Sequence, residues 1–255
     1  MTEPIIQLKG ISKAFGQNQV LDQINLTIHD GESLALIGGS GAGKSVVLKI
    51  ILGLLNPDAG SVLLKGVPSK PPFTDFLSQA GMLFQGGALF DSLPVWKNVA
   101  FKLLKRGENY NAKEARKIAE EKLERVGLER EVADLYPAEL SGGMQKRAGL
   151  ARAIAANPKI LFFDEPTTGL DPIRAANISS LIRELVKESS ATAVTVSHDM
   201  SCVKAISDKV EFLNGQKIAW SGSVKDFENI NKGEIYHFVK GLPTSHIIKQ
   251  HPNYE

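Results

Sequence analysis

The stretch that decides the fold is Ser33-Leu34-Ala35-Leu36-Ile37, then Gly38-Gly39-Ser40-Gly41-Ala42-Gly43-Lys44-Ser45, then residues 46–54, Val-Val-Leu-Lys-Ile-Ile-Leu-Gly-Leu. The first five form an apolar run suited to a strand buried on both faces, and the last nine read as a helix. A triphosphate needs a ring of inward-pointing backbone N–H groups, and glycine permits the backbone angles and close approach that such a nest requires. The helix that follows adds the positive end of its dipole. In this reading the backbone from Gly38 to Gly43 cradles the phosphates, Lys44 reaches the β and γ phosphates, and the Ser45 hydroxyl ligates magnesium. A glycine-rich turn without a ligand is the competing reading, and the flanking strand and helix weigh against it.

Outward from this motif, apolar runs rich in Val, Ile, Leu and Phe recur at residues 80–84, 160–163, 192–196 and 210–213, with helix-like stretches between several of them. That alternation predicts an α/β protein with a largely parallel sheet covered on both faces. Residues 5–15 and 21–28 alternate apolar and polar side chains and predict antiparallel strands added at one side. Asn214-Gly215 predicts a hairpin. The middle third, residues 91–157, reads as helices with almost no strand, a helical subdomain inserted into the core. Within it Ala112, Ala115, Ile118, Ala119, Leu123 and Val126 keep helical spacing and Gly127 supplies the stop. Asp171-Pro172 opens a later helix with a capping carboxylate and a first-turn proline.

The chain has 255 residues, 43% apolar and 23% charged, enough to bury a core in one or two domains. A net charge of +2 gives no argument for a nucleic-acid partner. The single cysteine, Cys202, makes no internal disulfide or thiolate zinc cluster and fits a reducing compartment. No apolar run approaches the roughly 18 residues that span a bilayer, and the N-terminus reads as no secretory signal, so the expectation is a cytosolic chain.

Ile160-Leu161-Phe162-Phe163-Asp164-Glu165 delivers two carboxylates to the C-terminal end of a buried strand, where ligands bind in open α/β sheets. Asp164 would hold magnesium and Glu165 would polarise the attacking water; alternation along the strand would point them at different partners. Leu140-Ser141-Gly142-Gly143-Met144-Gln145 opens a second anion-ready helix, with Ser141 at the N-cap and two glycines exposing their amides.

With these motifs assembled, the sequence resembles the ATP-binding cassette (ABC) ATPases from Ile5 to about Gly222. The phosphate loop, Gln85, the signature 140–145, Asp164-Glu165, Gly169-Leu170-Asp171 and His198 occur in the family's order. The resemblance implies a P-loop NTPase fold of the ABC nucleotide-binding type: a mixed sheet core with an antiparallel β subdomain and a helical subdomain. Residues 1–240 are read as the ATPase domain, extending past the minimal cassette that ends near Gly222, and the resemblance implies ATP with Mg2+. It also implies a head-to-tail homodimer in which Ser141, Gly142 and Gly143 of one copy complete the phosphate loop of the other. Gln85 would sense the γ phosphate and join Ser45 and Asp164 as a magnesium ligand, Asp171 would contact the opposing loop, and His198 would hold the γ phosphate and the attacking water. Catalysis would then rest on Glu165, His198, Lys44 and Gln85. Phe15 would stack on adenine, with a core role as the alternative. Met144 and Gly169 depart mildly from the family pattern, where Gln and Ala are common.

Only one cassette, no long heptad insertion and no cysteine pairs favour a transporter subunit over relatives that serve translation, chromosomes or DNA repair. Residues 83–101 and 144–150 resemble the Mla-type ATPases, which implies phospholipid traffic between inner and outer membranes. The partners implied are a MlaE-like permease, a MlaD-like MCE protein and a MlaB-like STAS-domain protein, with the chain held peripherally on the cytoplasmic side of the inner membrane. The rival readings are an importer ATPase for a small polar solute and a soluble ABC ATPase without a permease. Leu89, Phe90 and Trp96 are candidate anchors for the permease, or else core. Residues 241–255 form a tail with Leu242, Ile247, Ile248 and Tyr254, read either as docking on the neighbouring subunit or as frayed. His246 and His251 read as surface residues.

Overall fold

The computed structural model describes residues 3–105 and 110–242. Two sheets carry the described residues. Strands β1 (Pro4–Phe15), β2 (Asn18–His29), β4 (Ala59–Leu64) and β5 (Val67–Ser69) form an antiparallel sheet in the order β2-β1-β4-β5. The second sheet is built on β3 (Ser33–Ile37), β6 (Ala80–Leu83), β7 (Ile160–Asp164), β8 (Thr192–Val196), β9 (Lys209–Asn214) and β10 (Lys217–Ser223), in the order β10-β9-β3-β8-β7-β6. All its pairings are parallel except that of β9 with β10. The α/β core with a largely parallel sheet is therefore present. The alternating strands at residues 5–15 and 21–28 form the expected antiparallel β subdomain, a sheet completed by β4 and β5. Gly60 and Pro68 hid those two strands in the sequence.

Both faces of the six-stranded sheet are covered. Phe162 packs with Ile6, Leu8, Leu26 and Leu36 between the two sheets, while its neighbour Phe163 faces the helical side with Val99, Leu123, Leu150 and Ile182. Period-2 alternation thus lets one strand feed two cores. Each such fully buried side chain contributes roughly 1.5–3 kcal/mol.

Helix α1 (Lys44–Ile51) follows the glycine loop and stops three residues short of the expected Leu54, which is exposed. Short helices α2 (Thr74–Ser78) and α3 (Val95–Val99) flank β6. Helix α4 (Ala112–Arg125) starts at a capping box between Asn111 and Glu114 and ends before Gly127, whose φ is +74°. Helices α5 (Gly142–Ile154) and α6 (Pro172–Ser189) then precede β7 and β8 respectively. No strand lies between β6 and β7 among the described residues, in keeping with the inserted helical subdomain.

Helix α7 (Met200–Ile206) leads into β9, and α8 (Val224–Glu228) and α9 (Gly233–Lys240) close the described chain. The hairpin between β9 and β10 turns on Gly215 and Gln216, both with positive φ, one residue later than Asn214-Gly215 suggested. No helix of the described residues is long and apolar enough to cross a membrane. Leu242 is exposed, and the rest of the tail, including Ile247, Ile248, Tyr254, His246 and His251, lies outside the described residues.

Candidate functional site

The phosphate loop springs from the C-terminal end of β3 against the end of β9. A Cβ on Gly38 would meet the carbonyl oxygen of Leu213 at 2.4 Å, so the approach of these two backbones requires glycine there. Lys44, the first residue of α1, is buried, and its Nζ donates to the carbonyls of Gly38 at 2.8 Å and Gly39 at 3.0 Å. Burial lowers its pKa, while the charges of Glu165 and Asp164 oppose that shift. Ser40, Gly41 and Ser45 are exposed, and Gly39 and Ala42 are half-buried. Phe15 ends β1 with half its surface exposed, and the Lys13 ammonium lies 5.6 Å from its ring centroid. An open ring face beside a cation suits base stacking and not core packing.

Strand β7 ends at Asp164. Burial pushes the Asp164 carboxyl pKa up, the neighbouring Glu165 charge pushes the same way, and Lys44 and Lys49 oppose it. A half-buried carboxylate with a second acid beside it, within electrostatic reach of Lys44 at the start of α1, where the Ser45 hydroxyl is exposed, is a donor set that fits a hard divalent cation such as magnesium.

Glu165 lies just past the strand with φ +49°, and its N–H donates to the carbonyl of Val196 at 2.9 Å. This turn, and not strand alternation, separates the two acids. The left-handed backbone costs about 1–2 kcal/mol for a residue with a Cβ. The Glu165 carboxylate receives the Thr168 hydroxyl at 3.1 Å and lies 2.8 Å from Nδ1 of His198, which the end of β8 brings over.

Gln85 is exposed and follows β6, and Gly86, Gly87 and Ala88 after it all have positive φ. Helix α5 holds this loop. Arg152 donates to the carbonyls of Gly87 at 2.9 Å and Ala88 at 2.8 Å, and a Cβ on Gly149 would meet Leu83 Cδ1 at 2.9 Å and Gly87 Cα at 3.1 Å.

At the other end of α5, the Ser141 hydroxyl accepts from the N–H of Met144 at 3.3 Å, leaving Ser141 and Gly142 on the surface. A cavity of about 310 Å³ adjoins them, lined in part by Ser141, Gly143, Arg147 and Arg174. Asp171 caps α6 by accepting from the N–H of Arg174 at 3.0 Å. The hydrogen bonds and cavity around Ser141, Gly143 and Asp171 involve α5, α6 and the Gly127 turn, and none of residues 38–45, among the described residues.

The sequence reading missed Lys146, Arg152 and Thr168. The signal for Lys146 was present: with Gly149, Leu150 and Ala153 it falls at i, i+3, i+4 and i+7, at the head of the buried stripe of α5. The three candidate anchors divide. Phe90 is 44% exposed, whereas Leu89 and Trp96 pack against the helical core. Phe84 and Phe101 are exposed instead; the Phe101 ring lies 4.7 Å from that of Phe90, and the Arg152 guanidinium lies 5.9 Å from the rings of Phe84 and Phe90.

A phosphate loop, a strand-end acid pair and a histidine just past the adjacent parallel strand define a P-loop nucleoside triphosphatase. Residues 21–168 match the family model described as ABC transporter, and the chain belongs to that family. It is an ATP-hydrolysing module that binds ATP with Mg2+. It is 38% identical over 245 residues to the intermembrane phospholipid transport system ATP-binding protein MlaF of Haemophilus influenzae, covering 94% of this chain and 92% of that one. It is 41% identical over 230 residues to the methionine import ATP-binding protein MetN of Bartonella henselae, covering 87% of this chain and 66% of that one. Several other curated relatives are also longer, the chain spanning 66% to 69% of their length. Among solved structures, the dimeric post-hydrolysis state of the ATP-binding cassette MJ0796 bound to ADP and Pi superposes with a TM-score of 0.77 at 31% identity, covering 86% of this chain and 98% of that one.

Proposed function

We propose that the chain is the motor subunit of an ABC transporter and works as a head-to-tail homodimer with two ATP molecules at the interface. The observation that carries this reading is that each chain offers two separate anion-ready helix starts, α1 behind the phosphate loop and α5 behind Ser141. A second copy unites them around one nucleotide, an arrangement consistent with the dimeric cassette to which this fold is similar.

In that assembly the loop 38–45 binds the triphosphate and Lys44 offsets charge on the β and γ phosphates. Ser45, Asp164 and Gln85 would hold magnesium, which when bound neutralises phosphate charge. Glu165 accepts a proton from the attacking water, and His198, in contact with Glu165, orients the water and the γ phosphate. Phe15 carries the adenine, Ser141, Gly142 and Gly143 donate from the opposite copy, and Asp171 meets the opposing loop. Catalysis is then positioning and charge stabilisation completed by association. Concentration-dependent ATPase activity, lost in Ser141→Arg while nucleotide binding persists, tests this; activity per chain that is independent of dilution overturns it.

The exposed aromatics Phe84, Phe90 and Phe101 beside the Gln85 loop supply an anchor surface for a membrane-spanning partner. Such a partner would hold the chain peripherally on the cytoplasmic side of a membrane. Two cargoes have support. A phospholipid, with MlaE-like, MlaD-like and MlaB-like partners, is favoured by the resemblance of residues 83–101 and 144–150 to Mla-type ATPases and by the MlaF relative. A small polar solute is favoured by the methionine-import relative, which is the more identical of the two, so identity gives this second cargo the better support. Co-purification separates them: bound phospholipid with an MCE protein marks the first, a solute-binding protein the second, and no membrane partner at all the soluble ATPase. Docking of the tail on the neighbouring subunit belongs to the same proposal and is tested by truncation after Gly241.

A further inference from the structure

Lys146 is only 4% exposed, and its ammonium donates to the backbone carbonyl of Glu165 at 3.3 Å. A lysine is almost never so deeply buried unless its charge has a partner. Its pKa is lowered by that burial, and the Glu165 charge works in the opposite direction. The peptide it grips is the one with the unusual backbone: Glu165 has φ +49°, its N–H is fixed to the carbonyl of Val196, and its carbonyl also accepts from the N–H of Thr168 at 3.3 Å. The other end of the connection is Ser141, five residues earlier at the start of the same rigid helix, roughly 7.5 Å along its axis.

We propose that Lys146 is a positioning residue that ties the setting of Glu165 to the signature helix of its own chain, so that hydrolysis at one nucleotide responds to capture of the other. Ser141 meets the nucleotide bound by the partner copy, whereas Glu165 acts on the nucleotide in its own loop. Helix α5 is the rigid element common to both, and a shift of α5 on capture moves the ammonium relative to the Glu165 carbonyl. This rests on the assignment of Glu165 as the water-polarising carboxylate and on the head-to-tail dimer.

The test is steady-state ATPase activity against ATP concentration for Lys146→Met, Lys146→Arg and Glu165→Gln beside the parent chain, with thermal midpoints. Lys146→Met should lower kcat at least tenfold with KM for ATP unchanged and no fall in thermal midpoint, and should bring the Hill coefficient from above 1 to near 1. Lys146→Arg, which keeps a donor, should retain more kcat than Lys146→Met. A kcat for Lys146→Met within twofold of the parent, a matching loss in KM or folded protein, or an arginine variant no better than methionine overturns the positioning role. Equal Hill coefficients in parent and Lys146→Met overturn the link between sites. Normal turnover by Glu165→Gln sinks the underlying assignment instead, so the two failures are told apart.

Discussion

Nδ1 of His198 lies 2.8 Å from Oε2 of Glu165, and the Thr168 hydroxyl reaches that same oxygen from 3.1 Å. Two neighbours on one oxygen fix the plane of the carboxylate, which a strand-end side chain alone would leave free to rotate. The acid is therefore oriented by β7, β8 and the turn between β7 and α6 together.

Glu165→Gln keeps the shape and the acceptor for Thr168 but removes the proton-accepting group. Phosphate release should fall about 10²- to 10⁴-fold, with ATP still bound. Size-exclusion chromatography with ATP and magnesium should then show a stable dimer, because capture proceeds and cleavage does not. Turnover at the parental rate would remove Glu165 from the chemistry.

Lys44→Ala removes a desolvated ammonium whose hydrogen bonds run to the carbonyls of Gly38 and Gly39. Steady-state ATPase activity should fall by at least about tenfold, the loss of one charge-assisted contact of roughly 1.5–3 kcal/mol. Unchanged activity contradicts the cradle.

Asp164 gives a prediction with a sign. Its pKa is raised in the folded chain, first by burial and then by Glu165, so the folded state binds this proton more tightly than the unfolded one. The group's contribution to stability therefore falls as pH rises from the ordinary value of 3.8 through the raised value, and the whole penalty stands at neutral pH. Asp164→Asn should raise the thermal midpoint of the nucleotide-free chain at neutral pH, and the gain should shrink as pH is lowered into that window. Magnesium-dependent turnover should be lost at the same time. Scanning fluorimetry across a pH series checks the first two, and a lower midpoint at neutral pH contradicts the argument.

The core was legible because its chemistry is local. The runs that became β3, β7, β8 and β9 are short and almost wholly apolar, and Gly127, Ser141 and Asp171 announce helix ends by mechanisms that act within a few residues. What escaped depended on distant neighbours. Strand β4 exists because Leu8 pairs with Val62 across the antiparallel sheet, a partnership invisible around Gly60. The left-handed turn at Glu165 depends on Val196, and the burial of Trp96 depends on helices that fold around it. The motif residues of the site were read directly, whereas Lys146 and Arg152, which hold Glu165 and the Gln85 loop, reach them from another segment, and Thr168, only three residues past Glu165, meets its carboxylate through a turn the sequence did not announce.

The surface beside Gln85 separates an exposed aromatic from a core residue within one short stretch. Asn98 is fully buried; its amide donates to the carbonyls of Phe90 at 3.0 Å and Leu93 at 2.9 Å, and its Oδ1 accepts from the N–H of Phe90 at 2.6 Å. That clamp fixes the loop and leaves the Phe90 ring outside, against Phe101. Trp96 instead packs on the helical core, with the Arg116 guanidinium 5.7 Å from its ring. Phe90→Ser and Phe101→Ser should therefore leave the fold and basal ATPase activity of the isolated chain within twofold of the parent. Affinity for the proposed membrane-spanning partner should drop by about tenfold or more, as truncation of an aromatic anchor does. Trp96→Ser should behave in the opposite way, lowering the thermal midpoint because it removes packed apolar surface. Pull-down from detergent-solubilised membranes alongside thermal melts distinguishes the two, and serine variants of Phe90 and Phe101 that still recover the partner at parental yield would transfer the docking surface elsewhere.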